Sequence, residues 1–160
     1  MRKRSAFAIL ALVFSSLALQ CQQLTVQGEA GRQVVLTRTD LDALPHVKVS
    51  AAEHGGTPAE FEGVTLRSVL EKGGVNFGES MKGKRLANCL LVEAADGYRA
   101  VIALPEMDPA FTDKQIVLAF LRDGKPLGEK EGPYRVVIPD EKRMARWVRQ
   151  VTTLKIVEVQ

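Results

Sequence analysis

Sulfur and imidazole are scarce in this 160-residue chain, which has two cysteines, Cys21 and Cys89, and two histidines, His46 and His54. No spacing among these four resembles a zinc site. Neither histidine has a serine or cysteine nearby in a nucleophile setting such as a glycine-flanked elbow, so no hydrolytic constellation is present. An excess of charge of one sign is missing too, despite a formal net charge of +3. Arg2, Lys3 and Arg4 account for three of the 22 basic residues and lie in a leader without acids, leaving 19 basic against 19 acidic residues. A balanced chain has no electrostatic footprint for nucleic acid. Internal repeats, low-complexity tracts and linkers are also lacking, and 46% hydrophobic with 26% charged residues is ordinary for one globular domain.

Only one long apolar run exists, Ala6 to Leu19, interrupted by Ser15 and Ser16. It is short for a membrane span, follows a basic start and ends in small residues, the layout of a secretory signal peptide over residues 1–20 with cleavage near Ala18. A lipoprotein signal, with Cys21 acylated at the new amino terminus, is the second reading of the same leader, although Gln20 before the cysteine is bulky for one. Either way the chain is expected to be periplasmic or secreted, lipid-anchored through Cys21 in the second case. The mature part, 21–160, is expected to contain no membrane span. Export permits disulfides, but a Cys21–Cys89 bridge would tie a strand to a tail.

Short strands dominate the chain beyond the leader. Leu24 to Gln27 and Gln33 to Thr37 flank Gly28 and Gly31 and predict a hairpin. The run from Thr39 to Asp42 predicts a capped helical turn stopping near Pro45. Val47, Val49 and Ala51 alternate with Lys48 and Ser50, the period of a half-buried strand, and polarity then rises through a loop from Glu53 to Pro58. Thr65 suits the amino-terminal cap of a short helix with Leu66, Val69 and Leu70 on one face and Gly73-Gly74 at its end. Leu86 to Ala94 and Tyr98 to Leu104 predict a second hairpin, Ile116 to Leu121 a strand covered on both faces, and Val151 to Val159 a last strand. Asp123-Gly124 suits a two-residue turn. The fold class is therefore α+β with strands in the majority.

The most informative stretch runs from Asp123 to Val148. Pro133 and Pro139 bracket an apolar strand from Tyr134 to Ile138 that contains Arg135. A half-buried guanidinium needs an acidic or anionic partner. Basic residues then gather at Lys142, Arg143, Arg146 and Arg149. If 142–149 is helical, the three arginines recur every third residue and can share a face able to grip an oxyanion. The competing reading is a solvated face with internal ion pairs. Trp147, the only tryptophan, reads as core.

Several blocks in order resemble the molybdopterin-binding domain of the sulfite oxidase family. These are Phe61-Glu62-Gly63-Val64-Thr65-Leu66 with Val69-Leu70, Asp96-Gly97-Tyr98, Ile116 to Ala119, Asp123-Gly124-Lys125-Pro126-Leu127, Gly132-Pro133-Tyr134-Arg135-Val136-Val137-Ile138-Pro139, and Arg146-Trp147. The similarity spans about Leu24 to Val159. It implies that family's strand-rich, barrel-like mixed fold with short helices, and a pocket in which basic residues hold a pterin phosphate and a small oxyanion. By the same similarity Arg135 takes the position of a pocket arginine, and Arg146 one where the family often has lysine. Family enzymes bind molybdenum through a cysteine thiolate on the loop before the F-x-G-V-x-L block. Here that region, Val47 to Glu60, contains no cysteine, and Glu131 stands where the family has a histidine.

Two functions are expected on this basis. One is a non-catalytic exported module that binds a small anion, a pterin or a partner protein such as a membrane redox protein, with Arg135, Arg146, Tyr98 and His54 lining its pocket and no metal ligand. The other is a molybdopterin-dependent oxidoreductase acting on a small oxyanion or oxide, either without a cysteine ligand or with Cys89 brought into reach.

Overall fold

A computed structural model describes residues 22–53, 56–139 and 141–159. The leader, Cys21 and His54 lie outside them. Among the described residues ten strands form two five-stranded sheets. The first sheet contains β1 (Leu24–Gln27), β2 (Gln33–Leu36), β5 (Cys89–Ala94), β6 (Arg99–Ala103) and β10 (Val151–Val157), in the spatial order β2-β1-β10-β5-β6. Its one parallel pair is β1 with β10. The second sheet runs β3 (His46–Ala51), β4 (Ala59–Thr65), β7 (Val117–Arg122), β8 (Lys125–Pro126), and β9 (Arg135–Val137) also pairs with β7. Among the described residues no helix is long and apolar enough to cross a membrane.

Local chemistry explains most of these elements. Strand β7 places Val117, Leu118, Ala119 and Phe120 in the core, as its unbroken apolar run requires. At its end Asp123 and Gly124 adopt φ of 50° and 72°, the doubly left-handed turn that matches the twist of a two-residue hairpin. Helix α2 (Leu66–Lys72) starts at Thr65, whose hydroxyl accepts from the Ser68 amide at 3.1 Å, and it buries Leu66, Val69 and Leu70. Helix α1 (Arg38–Asp42) is capped at Thr37, two residues before the expected start, because Thr37 and Asp40 close a reciprocal capping box.

Two expectations change. The strand expected from Leu86 begins at Cys89, since 83–87 forms a 3-10 turn. The stretch 142–149 is not a helix carrying Arg143, Arg146 and Arg149 on one face, for only Met144–Arg146 makes a single 3-10 turn. Long-range bonds claim it instead. The Val136 amide donates to Val148 O at 2.8 Å, the Val151 amide to Tyr134 O at 2.9 Å, and the Ala95 amide to Gln150 O at 3.0 Å. This segment is thus the seam joining β9 of one sheet to β5 and β10 of the other.

Candidate functional site

At that seam lies a cavity of about 650 Å3, walled by Ala52 after β3, Ala94, Asp96 and Tyr98 around the β5–β6 turn, Arg135 on β9, and much of 141–149. Two of the residues singled out in the sequence, Arg135 and Tyr98, come together here. Tyr98 is 49% exposed, and its hydroxyl donates to Ala145 O at 2.6 Å, fastening the β5–β6 turn to the seam. Trp147 is buried in the wall, edge-on to Phe61 with ring centroids 6.0 Å apart.

Arg135 belongs to the floor of the cavity and is only 1% exposed. Its guanidinium carbon lies 5.5 Å from the centroids of both Phe61 and Trp147, so aromatic faces flank the charge. The partner that its position demands is a pair of carboxylates. Arg135 Nη1 donates to Glu131 Oε1 at 2.8 Å, and Nη2 contacts Glu53 Oε1. Arg122 Nη1 reaches the same two acids, Glu53 Oε2 at 3.3 Å and Glu131 Oε1 at 3.6 Å. Two cations and two anions therefore neutralise each other. Burial pushes the Glu53 carboxyl up, but Arg135, Arg122 and Arg149 outweigh it and hold the group below the ordinary carboxylate value, so Glu53 is charged at neutral pH.

Arg146 faces elsewhere. It donates to Glu106 at 3.0 and 3.3 Å and also holds Glu141, which makes it a clamp between the segment after β6 and the seam, with an internal ion-pair role. Glu106 is pushed up by burial and held below its ordinary value by Arg146 and the Ala103 amide. Arg143 and Arg149, with Lys142, are exposed side chains at the rim of the cavity. These rim cations were visible in the sequence as part of the basic cluster. Glu53 was not singled out there, and its loop position after an alternating strand gave no sign that it would meet Arg135.

Among the described residues no cysteine lines the cavity. Cys89 has a free thiol and opens β5, whereas the cavity meets β5 at Ala94, five residues along and roughly 17 Å away at the rise of an extended strand. Among the described residues no three His, Cys, Asp or Glu side chains are grouped to hold a metal ion. The described donors at the cavity therefore do not fit a thiolate-ligated molybdenum centre.

The profile of a family described as the oxidoreductase molybdopterin binding domain matches residues 15–160. Among solved structures, the chain is similar in fold to the sulfane dehydrogenase SoxCD from Paracoccus pantotrophus, with a TM-score of 0.67 and 22% sequence identity over 86% of this chain. It covers 38% of that longer chain. No curated protein matches.

Proposed function

Because the chain belongs to the oxidoreductase molybdopterin binding domain family, we propose that it keeps the family's pocket as a binding module and performs no molybdenum chemistry. One observation carries this reading: the buried Arg135 guanidinium is already neutralised by Glu53 and Glu131. With no thiolate among the described wall residues, the cavity offers no sulfur ligand for molybdenum, and the cation at its floor is already compensated. What it does offer is an aromatic wall of Trp147 and Tyr98, with Lys142, Arg143 and Arg149 at the rim. That set suits a planar heterocycle bearing an anionic tail, such as a pterin phosphate, whose ring would lie along the aromatic wall and whose phosphate would meet forked guanidinium donors. Its volume is within the range of small-molecule sites. Export through the leader at 1–20 belongs to the same proposal and is checked by sequencing the amino terminus of the processed protein.

The family relation itself favours a second reading, a molybdopterin-dependent oxidoreductase acting on a small oxyanion or oxide. One preparation separates the two. Protein purified from a host that makes the cofactor is analysed for molybdenum by elemental analysis and, after denaturation, for released pterin fluorescence. The binding module is expected to carry no stoichiometric molybdenum, with or without pterin. One molybdenum per chain would overturn it in favour of the enzyme.

A further inference from the structure

We infer that Glu53 is a built-in substitute for an anionic ligand. Its carboxylate, with that of Glu131, occupies Arg135 and Arg122, so the floor of the cavity rejects oxyanions and anionic groups are held only at the rim. The inference rests on the binding-module reading and adds to it the residue that sets charge selectivity.

Three observations support it. Glu53 comes from the loop after β3, not from either sheet, and is the partly exposed member of the pair, at 20% against 1% for Arg135. Removing its side chain would therefore free Nη2 of a guanidinium that lies between Phe61 and Trp147 and belongs to the cavity lining. The contact is also incomplete. Arg135 Nε is buried without an acceptor among the described residues, and Glu53 Oε1, although against Nη2, receives no well-directed N–H. An oxyanion grips arginine through two parallel donors, and on the Nε–Nη2 edge that would supply them Glu53 engages Nη2 while Nε is left unsatisfied. Loss of Glu53 would fall on Arg135 Nη2, because Arg135 would keep only Glu131 through Nη1, whereas Arg122 would still have Asp123 at 3.9 Å and Glu131 at 3.6 Å. A structural brace built into a rigid sheet would show the opposite pattern, with both donors of the edge satisfied.

Trp147 is the only tryptophan, lies in the cavity wall and is 5.5 Å from the Arg135 guanidinium, so its fluorescence reads occupancy of the floor. Sulfate is titrated, at constant ionic strength, into wild type, Glu53→Gln, Glu53→Ala and Glu53→Ala/Arg135→Met. Glu53→Ala is expected to bind sulfate at least about tenfold more tightly than wild type, the gain of one charge-assisted hydrogen bond, and the added Arg135→Met to abolish that gain. Glu53→Gln, which keeps the shape and removes the charge, is expected to fall between. Equal sulfate affinity in wild type and Glu53→Ala would overturn the proposal, as would a gain that survives Arg135→Met. Unfolding of both single variants would also overturn it, by showing the pair to be a brace. These outcomes leave the wild-type molybdenum content untouched, so the failure of Glu53's role and the failure of the binding-module reading are told apart.

Discussion

Arginine does two different jobs within a dozen residues of this chain, and the difference lies in what each guanidinium finds. Arg135 is sealed in the core with incomplete donors, whereas Arg146 spans two acids at the surface of the seam. The Arg146 clamp holds the loop that supplies the cavity's rim, so its loss should be felt in stability first. Arg146→Met is expected to cost about 2 kcal/mol at neutral pH, the scale of hydrogen bonds to charged groups, because the part-buried Glu141 loses its arginine and Glu106 keeps only the Ala103 amide and Lys114 at 3.8 Å. The pH dependence has a definite sign. The folded pKa of Glu106 lies below its ordinary value of 4.5, so its contribution is complete above 4.5 and is lost as pH falls through the lower folded value. Urea denaturation of wild type and variant at successively lower pH should therefore show the gap closing on the acid side. A gap that persists in acid would assign the loss to packing of the arginine stem.

Between elements, β4 meets β7 at Gly63 with no room for a side chain. A Cβ on Gly63 would lie 2.1 Å from Leu118 O and 2.7 Å from Ala119 Cα, at the point where the pairing of β4 with β7 shifts register. Gly63→Ala is accordingly expected to cost about 3 kcal/mol, since backbone cannot move aside as a side chain can. Gly124→Ala provides the contrast. It has open space and a φ of 72°, so it carries only left-handed strain of about 1 kcal/mol. Urea midpoints that rank the two variants the other way would refute this account. The pair also shows what a sequence can disclose. The Asp123-Gly124 turn and the Thr65 cap were legible because their causes sit within a few residues. Gly63 was legible only as part of a motif, because its cause is a strand more than fifty residues away. The same holds at 142–149. Eight residues with arginines at every third position fit a helix, but so short a helix is marginal alone, and the bond between Val136 of β9 and Val148 holds the segment against the sheet instead. Tyr98 and Arg135 could be placed in one cavity from the resemblance, whereas the Glu53 partner of Arg135 depends on how a loop crosses between sheets.

At the scale of the molecule, β10 holds the first sheet together. The β1–β2 and β5–β6 hairpins do not pair with each other, and β10 lies between them, parallel to β1 through Thr25–Thr153 to Gln27–Lys155 and antiparallel to β5. It buries Val151, Leu154 and Ile156, and its first residue carries the bond to Tyr134 that ties the sheets at the seam. An isolated two-stranded hairpin is marginal in water, so without β10 each half of the sheet falls below the size that folds by itself. Deletion of 151–160 is therefore expected to abolish the cooperative thermal transition. It should not merely lower the midpoint, because the removed strand is an internal one whose loss exposes two strand edges at once. Trp147 reports the outcome, being buried beside Phe61 only while the seam is closed. Circular dichroism and tryptophan emission should lose their sigmoidal unfolding together. A truncated chain that still melts cooperatively, with Trp147 emission as blue as in the full chain, would show that the second sheet and the seam are sufficient to hold the cavity without β10.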